Sequence, residues 1–384
     1  MRIAFYAPMK PPTSPIPSGD RQMARHLMTA LEAANHTVEL SSIFVSRDGL
    51  GDPVRQQRLS GLGRRLAERL TTRLRARPAA SRPDAWLTYH LYYKAPDWIG
   101  PLVSAALGIP YLVAEASHAP KRAAGKWALG HQASEAAISH ADAVIGLNSH
   151  DAACVVPVLA RPDRYHGLRP FTDTKPYARA AAARDAHHAA LVSRFDLDPQ
   201  AALLLTVAMM RDGDKLDSYR VLGRALARIT DEPWQLLVVG DGPARQAVEA
   251  ALADLGPARV RYAGEQPPQA LPGFYAASDL MVWPAIREAY GLALLEAQAT
   301  GLPVVAGRSG GVADIVRDGK TGLLTAEGDV EAFADAVSSL LQAPYFLAGF
   351  AAEARRITDT EHSIDSAAAA LDGMLAHVVS EYGQ

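Results

Sequence analysis

Two carboxylates, Glu288 and Glu296, stand eight residues apart in "REAYGLALLEAQATGLPVVAG" (287–307), and the residues between them are apolar or small. A solvated helix would spread its charges over one face, and a buried helix would carry none. Acids kept in such a run are groups held for a ligand. The punctuation predicts a loop with Glu288, Gly291 opening a helix that contains Glu296, then Gly301 and Pro303 closing it before the strand "PVVAG".

Other residues could act with this pair. "VAMMRDGDKLDSYR" (207–220) places two cations, Arg211 and Lys215, just past a strand, where they could neutralise a phosphate-bearing leaving group. "VVGDGPARQAV" (238–248) reads as strand, turn and helix. Gly240 and Gly242 let the backbone come close to a ligand, and the helix amides face anions, although such turns are common. Asp212 with Asp214 and Asp196 with Asp198 are formal Asp-x-Asp pairs that could hold Mg²⁺, but both lie in turn or cap contexts and read as turn acids, so no metal is expected. His118 in "VAEASHAPKR" follows a strand and is a candidate contact for a reacting group. His90 after "WLTY" is a second, and either could be an ordinary loop or core histidine. His166, His187 and His188 have no ligand spacing. The single cysteine, Cys154, excludes an internal disulfide or a multi-cysteine metal site. In "AACVV" it reads as a small core residue, and the composition fits a reducing cytoplasm.

These residues need a scaffold with many strand ends. Short apolar runs alternate with helical patterns: "RIAFYA" (2–7), "TVEL" (37–40), "AWLTYH" (85–90), "PYLVAEA" (110–116) and "DAVIGLN" (142–148), then "ALLLTVAM" (202–209), "WQLLVVG" (234–240), "VRYAG" (260–264), "LMVW" (280–283) and "PVVAG" (303–307). They are continuously apolar, as strands covered on both faces are, which predicts parallel α/β sheets. Met23, Leu27, Ala30, Leu31 and Ala34 form a helical stripe after the cap candidates Ser18 and Asp20. The stretch 159–178 is rich in Pro and polar residues without a period, so the boundary falls there: one domain over 1–170, another over 171–384, with a final helix starting near residue 361. Open α/β sheets bind ligands at the carboxyl ends of their strands. The 384 residues suit two domains, and no run of 18 apolar residues marks a membrane span. The N-terminal apolar run is too short for a signal peptide.

Charge is uneven. Residues 1–170 hold 21 Lys+Arg against 13 Asp+Glu, a net +8, and the remainder holds 18 against 28, a net −10. Residues 55–82 concentrate the basic excess. Leu59, Leu62, Leu66, Leu70 and Leu74 form a stripe, and Arg64, Arg65, Arg69, Arg73, Arg75 and Arg77 crowd the rest. Such a helix can lie on an anionic membrane surface; the plainer reading is a surface helix packed on its own domain. Without interleaved aromatics, nucleic acid is not expected.

Over nearly the whole chain, and most strongly over 202–325, the sequence resembles GT-B-fold glycosyltransferases, specifically retaining glycosyltransferase family 4. Glu-x7-Glu at 288 and 296, "GLPVVAGRSGGVADIVRDGKTGLL" (301–324), "VVGDGP" (238–243) and the pair Arg211 and Lys215 carry the likeness. It implies two Rossmann-like domains facing across a cleft, with the last helix (361–384) crossing back to the first. It also implies a nucleoside-diphosphate-sugar donor, UDP or GDP, with no cofactor. Glu288 would bind sugar hydroxyls and Glu296 the ribose diol. Eight residues span at most ~12 Å, roughly the scale of a nucleotide sugar. Amides near Tyr290, Gly291 and Leu292 would face the sugar and diphosphate, Arg211 and Lys215 the diphosphate, and His118 the reacting sugar. Two departures stand out. Ala208-Met209 occupy the place of the usual Gly-Arg, and in the loop 11–27 Gly19 matches one expected glycine while Asp20 stands where a second is usual. The function implied is sugar transfer with retained configuration to a hydroxyl acceptor, whether a sugar, a lipid-linked or a small molecule, in cell-envelope polysaccharide, glycolipid or related synthesis; the place expected is the cytoplasm, where the basic helix could bring the protein to the inner face of the membrane. A GT-B epimerase or phosphorylase, or a non-catalytic nucleotide-sugar binder, are the alternatives. A phosphorylase would place pyridoxal phosphate on a lysine, and the second half offers only Lys175, Lys215 and Lys320.

Overall fold

The structure, a computed structural model, describes residues 1–16 and 18–382, and of Pro344 the backbone alone. Pro17 of the 11–27 loop and the last two residues of the 361–384 segment lie outside the described residues. The chain divides into two compact units: Met1–Arg169 with Ile364–Gln384, and Pro170–Ser363.

The first unit holds a six-stranded parallel sheet: β1 (Arg2–Tyr6), β2 (Thr37–Ser42), β3 (Ala85–Leu91), β4 (Tyr111–Ala116), β5 (Ala143–Gly146) and β6 (Tyr165–Gly167), in the spatial order β2-β1-β3-β4-β5-β6. The chain winds from β1 to β2 and then returns to the other side of β1, so the order reverses between β1 and β3. The second unit holds another, from β7 (Ala202–Val207), β8 (Trp234–Val239), β9 (Val260–Gly264), β10 (Leu280–Trp283), β11 (Val304–Gly307) and β12 (Gly322–Thr325), in the order β12-β11-β10-β7-β8-β9. Here the reversal falls between β7 and β10. Each reversal leaves a crevice outside the carboxyl ends of two neighbouring strands.

The central strands are buried end to end, as their unbroken apolar runs require: β8 throughout, and Leu203 to Thr206 of β7. Two strands escaped the sequence reading. The edge strands β6 and β12 span three and four residues, and both include glycine. β6 lies inside the stretch taken as linker.

The final helix, Ile364–Tyr382, belongs to the first unit and packs against the Gly19–Ala33 helix, with His36 Nε2 3.3 Å from Asp372. Ser18 caps that N-terminal helix by accepting from the Arg21 amide, whereas Asp20 lies within its first turn.

The basic segment forms a helix over Pro53–Arg75, capped by Asp52. Its buried side carries Leu70 and Leu74 of the leucine stripe together with Gln56, Ser60, Gly63 and Ala67, and Leu66 packs partly buried against the same core. Small residues let the helix sit close: a Cβ on Gly63 would fall 2.3 Å from Trp98 Cβ. Leu62 is left 39% exposed. Arg75 bonds the Ala106 carbonyl, and Arg77 forms a two-pronged pair with Glu39, while Arg64, Arg65, Arg69 and Arg73 are exposed. The helix therefore rests on its own domain, as the plainer reading had it, and presents Arg55, Arg58, Arg64, Arg65, Arg69 and Arg73 outward. Cys154 is only partly buried, at the margin of the first core rather than inside it.

Candidate functional site

The second unit brings two of its candidate residues, Lys215 and Glu288, together at the β7–β10 crevice. The Asp214–Leu226 helix follows β7, and its first turn carries Lys215. β10 ends at Trp283, and the loop beyond it carries Glu288. Lys215 Nζ forms an ion pair with Glu288 Oε2, which also accepts from Trp283 Nε1 at 3.2 Å. The ammonium lies 5.2 Å from the Trp283 ring centroid, close enough for a cation–π contact. Side-chain exposures of 19% for Lys215 and 15% for Glu288 leave both reachable but largely shielded from water.

The loop is held in one shape from several sides. Ala285 and Arg287 adopt positive φ, +54° and +46°, which costs backbone energy unless the surroundings enforce it. The Ile286 amide donates to Ser218 Oγ at 2.9 Å, and the Glu288 amide to Ser309 Oγ at 3.2 Å. Arg287 pairs with Asp214 and Asp217. Asp214 of the Asp-x-Asp sequence is therefore engaged by an arginine, and Asp198 accepts from the Gln200 amide, so both act as turn and pairing acids. From the other side, Gly310 has φ +46°, and a Cβ there would lie 2.1 Å from the Glu288 carbonyl oxygen. Only glycine admits that approach.

Gly291 is the N-cap of the Leu292–Thr300 helix, with φ +81° and no side-chain cap hydrogen bond. Gly301, also at φ +81°, ends the helix. Glu296 on this helix accepts from Tyr275 Oη at 2.8 Å and also bonds Tyr177. Burial pushes its carboxyl up to about 7, against the pull of the two hydroxyls. Arg211 is exposed, with no ion pair or hydrogen bond among the described residues.

Gly240 and Gly242 have a structural task. A Cβ on them would lie 1.9 Å from the Ala208 carbonyl oxygen and 2.2 Å from that of Met210. They press the β8 loop against the backbone that follows β7, tied by Met210 N to Asp241 O at 2.9 Å. The close approach expected toward a ligand is here an approach to the neighbouring loop.

Gly19 and His118 belong to the first unit. Gly19 is the first residue of its helix, and a Cβ there would meet nothing within 4 Å. His118 Nε2 lies 3.1 Å from Glu135 Oε2, and His131 Nδ1 lies 3.5 Å from the same oxygen. Each of the three offers a donor atom within 4.8 Å of the others, a set that could share a cation. His90 Nδ1 bonds Asp20 Oδ1 at 2.9 Å.

Sequence reasoning missed Trp283, Ser309, Gly310, Tyr177 and Tyr275. Gly310 had a signal in the Gly-rich "AGRSGG"; the aromatic partners come from separate elements and had none.

Two parallel sheets, each with one reversal of strand order and with ionisable side chains gathered at the carboxyl ends, define a two-domain α/β protein of the GT-B class. Over 97% of this chain and 99% of the other, the fold is similar to that of a crystal structure of Anabaena Alr3699/HepE in complex with UDP and glucose, with TM-score 0.72 and 17% identity. Residues 201–343 match the family described as glycosyl transferases group 1. The chain is 33% identical over 298 residues to a D-inositol 3-phosphate glycosyltransferase of Rhodococcus erythropolis, covering 73% of this chain and 64% of that one. It is 34% identical over 186 residues to a GDP-mannose-dependent alpha-(1-6)-phosphatidylinositol monomannoside mannosyltransferase of Mycolicibacterium smegmatis, covering 46% and 47%. The chain thus spans between about half and two thirds of the length of the curated relatives it matches. Its residues 201–343 are those of the group 1 glycosyl transferases.

Proposed function

We propose that the protein transfers a hexosyl group from a nucleoside-diphosphate sugar to a hydroxyl acceptor and retains the anomeric configuration. The observation that carries this reading is the Lys215–Glu288 pair at the β7–β10 crevice, beside a helix N-terminus without a side-chain cap. A carboxylate accepts from sugar hydroxyls, and a cation beside a helix N-terminus suits a diphosphate.

In this reading Glu288 holds the sugar hydroxyls and Glu296 the ribose diol, framed by Tyr177 and Tyr275. Lys215, Arg211 and the amides after Gly291 take up the charge that grows on the diphosphate as it leaves. The acceptor oxygen attacks C1 from the face on which the C1–O bond to phosphate breaks. The acceptor's proton passes to an oxygen of the departing diphosphate, giving a glycoside and a nucleoside diphosphate. That route needs no second catalytic carboxylate, unlike the paired acids of glycosidases. His118 is assigned to the reacting sugar, and the chemistry to proceed without metal or cofactor. UDP or GDP is the donor nucleotide, in line with the names of the relatives. Glycolipid or envelope polysaccharide synthesis at the inner membrane face fits the outward arginines of the Pro53–Arg75 helix; no helix among the described residues is long and apolar enough to cross a membrane.

The test is a thermal-shift screen of UDP, GDP and ADP sugars, followed by donor hydrolysis with Glu288→Ala and Arg211→Ala. A ligand that binds the native state raises its melting temperature. UDP or GDP sugars should stabilise the protein, and both variants should lose basal hydrolysis. Unchanged hydrolysis in both would end the enzymatic reading of these residues.

A further inference from the structure

The Ala128–His140 helix of the first unit carries His131 and Glu135 four residues apart, and so on one face. His118, in the loop after β4, reaches the same place. Both imidazoles turn toward one carboxylate oxygen: His118 Nε2 lies 3.1 Å from Glu135 Oε2, and His131 Nδ1 lies 3.5 Å from it. The ring centroids stand 4.9 Å apart, tilted by 47°. The imidazoles are only 10% and 5% exposed, so packing fixes them, whereas Glu135 is 49% exposed and opens the cluster to water. Donors held at ~2.0–2.1 Å from a tetrahedral zinc ion stand ~3.3–3.4 Å from one another. The two measured separations straddle that edge, and no pair in the set exceeds 4.8 Å. The 3.5 Å separation is too long for an ordinary N–H···O bond but suits two ligands of one ion.

We propose that His118, His131 and Glu135 form a binding site for a zinc-class divalent cation, with water completing the coordination, and that the bound ion restrains transfer rather than serving it. Two imidazole nitrogens and a carboxylate are the donor set of open zinc sites, whereas Mg²⁺ and Ca²⁺ take oxygen ligands. The restraint rests on the reading in which His118 meets the reacting sugar, because an ion held on Nε2 takes that ring out of use. The binding is reversible for a structural reason. With the ion on His131 Nδ1, the other ring nitrogen, Nε2, is buried and has no hydrogen-bond partner among the described residues. Outer partners of ligating histidines are typically worth about 10- to 100-fold in affinity, so this ion is held more weakly than a structural zinc. Cys154 is not a member of the set: its thiol accepts from the His118 amide and donates to the Asp151 carbonyl at 3.2 Å.

The test uses the full chain, with Co²⁺ as a coloured stand-in for Zn²⁺. The wild type should bind Co²⁺ with the strong visible bands of a four- or five-coordinate ion. Zn²⁺ should displace it and Mg²⁺ should not. Glu135→Gln, at a half-exposed position where the side chain keeps its shape, should weaken binding about tenfold or more, and His131→Gln likewise. His377→Gln should change nothing, although His377 and Glu381 are also four apart, because that pair is 59% and 52% exposed and belongs to no such set of three among the described residues. Cys154→Ser should leave the bands as they are. Saturating Zn²⁺ should slow donor turnover in the wild type and spare Glu135→Gln. Absent bands, or bands equally strong in Glu135→Gln and His131→Gln, would overturn the site. Zn²⁺ that binds yet leaves wild-type turnover unchanged would overturn the restraint. Failure of UDP and GDP sugars to bind the wild type would instead refute the glycosyltransferase reading and leave the cation site standing.

Discussion

Replacing Lys215 by Met keeps the length of the side chain and removes its charge. Among the described residues Glu288 would then keep Trp283 Nε1 as its side-chain donor. Unit charges ~4 Å apart interact by about 4 kcal/mol at an effective dielectric of ~20. Desolvation of both ions offsets much of this in a pair shielded to 15–19% exposure. The expected net loss of stability is therefore about 1–2 kcal/mol, or roughly 2–8 °C in melting temperature for a unit of this size. The catalytic loss should be larger, because a cation aimed at a leaving diphosphate acts most strongly in the transition state: about 100- to 1,000-fold in kcat/KM. Scanning fluorimetry reads the first quantity and donor turnover the second. Lys215→Met with Glu288→Gln should cost less than the sum of the single changes, since each removes the same pair. Additive losses, or turnover within threefold of wild type for Lys215→Met, would refute the claim that the pair works as one unit.

Glu296, lifted to about 7 by burial, binds its proton more tightly in the folded than in the unfolded protein, so it costs stability as pH rises from ~4.5 through 7; melting temperature should fall less over that range in Glu296→Gln than in wild type, and equal slopes would exclude it as the cause. Gly310→Ala, which drives a Cβ to 2.1 Å from the Glu288 carbonyl oxygen, should displace the loop and abolish turnover while lowering stability by about 1–3 kcal/mol, measured by urea unfolding. Changing Arg64, Arg65, Arg69 and Arg73 to Ser should weaken binding to phosphatidylserine vesicles by about 1 kcal/mol per arginine in a flotation assay; equal binding would leave the helix a surface element only. Turnover should survive EDTA, and restoration by Mg²⁺ after its loss would show that a metal is required.

The parallel strands were legible because an apolar run too long for one covered face implies burial on both sides. β6 and β12 were not, because a strand of three or four residues at a sheet edge carries no pattern to read. The Glu288–Gly291–Glu296 spacing was equally plain, since Gly and Pro punctuate a helix through local backbone geometry. What local geometry leaves open is partnership. Nothing in residues 214–220 says that Lys215 meets an acid 73 positions later, or that Asp214 of an apparent metal motif is engaged by Arg287. Tyr177 and Tyr275 meet Glu296 only because separate helices pack together. The basic helix shows both sides of this. Its leucine stripe marked part of the buried face, Leu70 and Leu74, but not that Gly63, Ser60 and Ala67 also turn inward, with Gly63 seated close against Trp98. By itself the sequence determined the elements, their class and the residues suited to a diphosphate and a diol. Only the tertiary structure decided which of them meet, because packing across distant strands sets distance and burial, and those two quantities decide whether a charge is a solvated side chain or a working group.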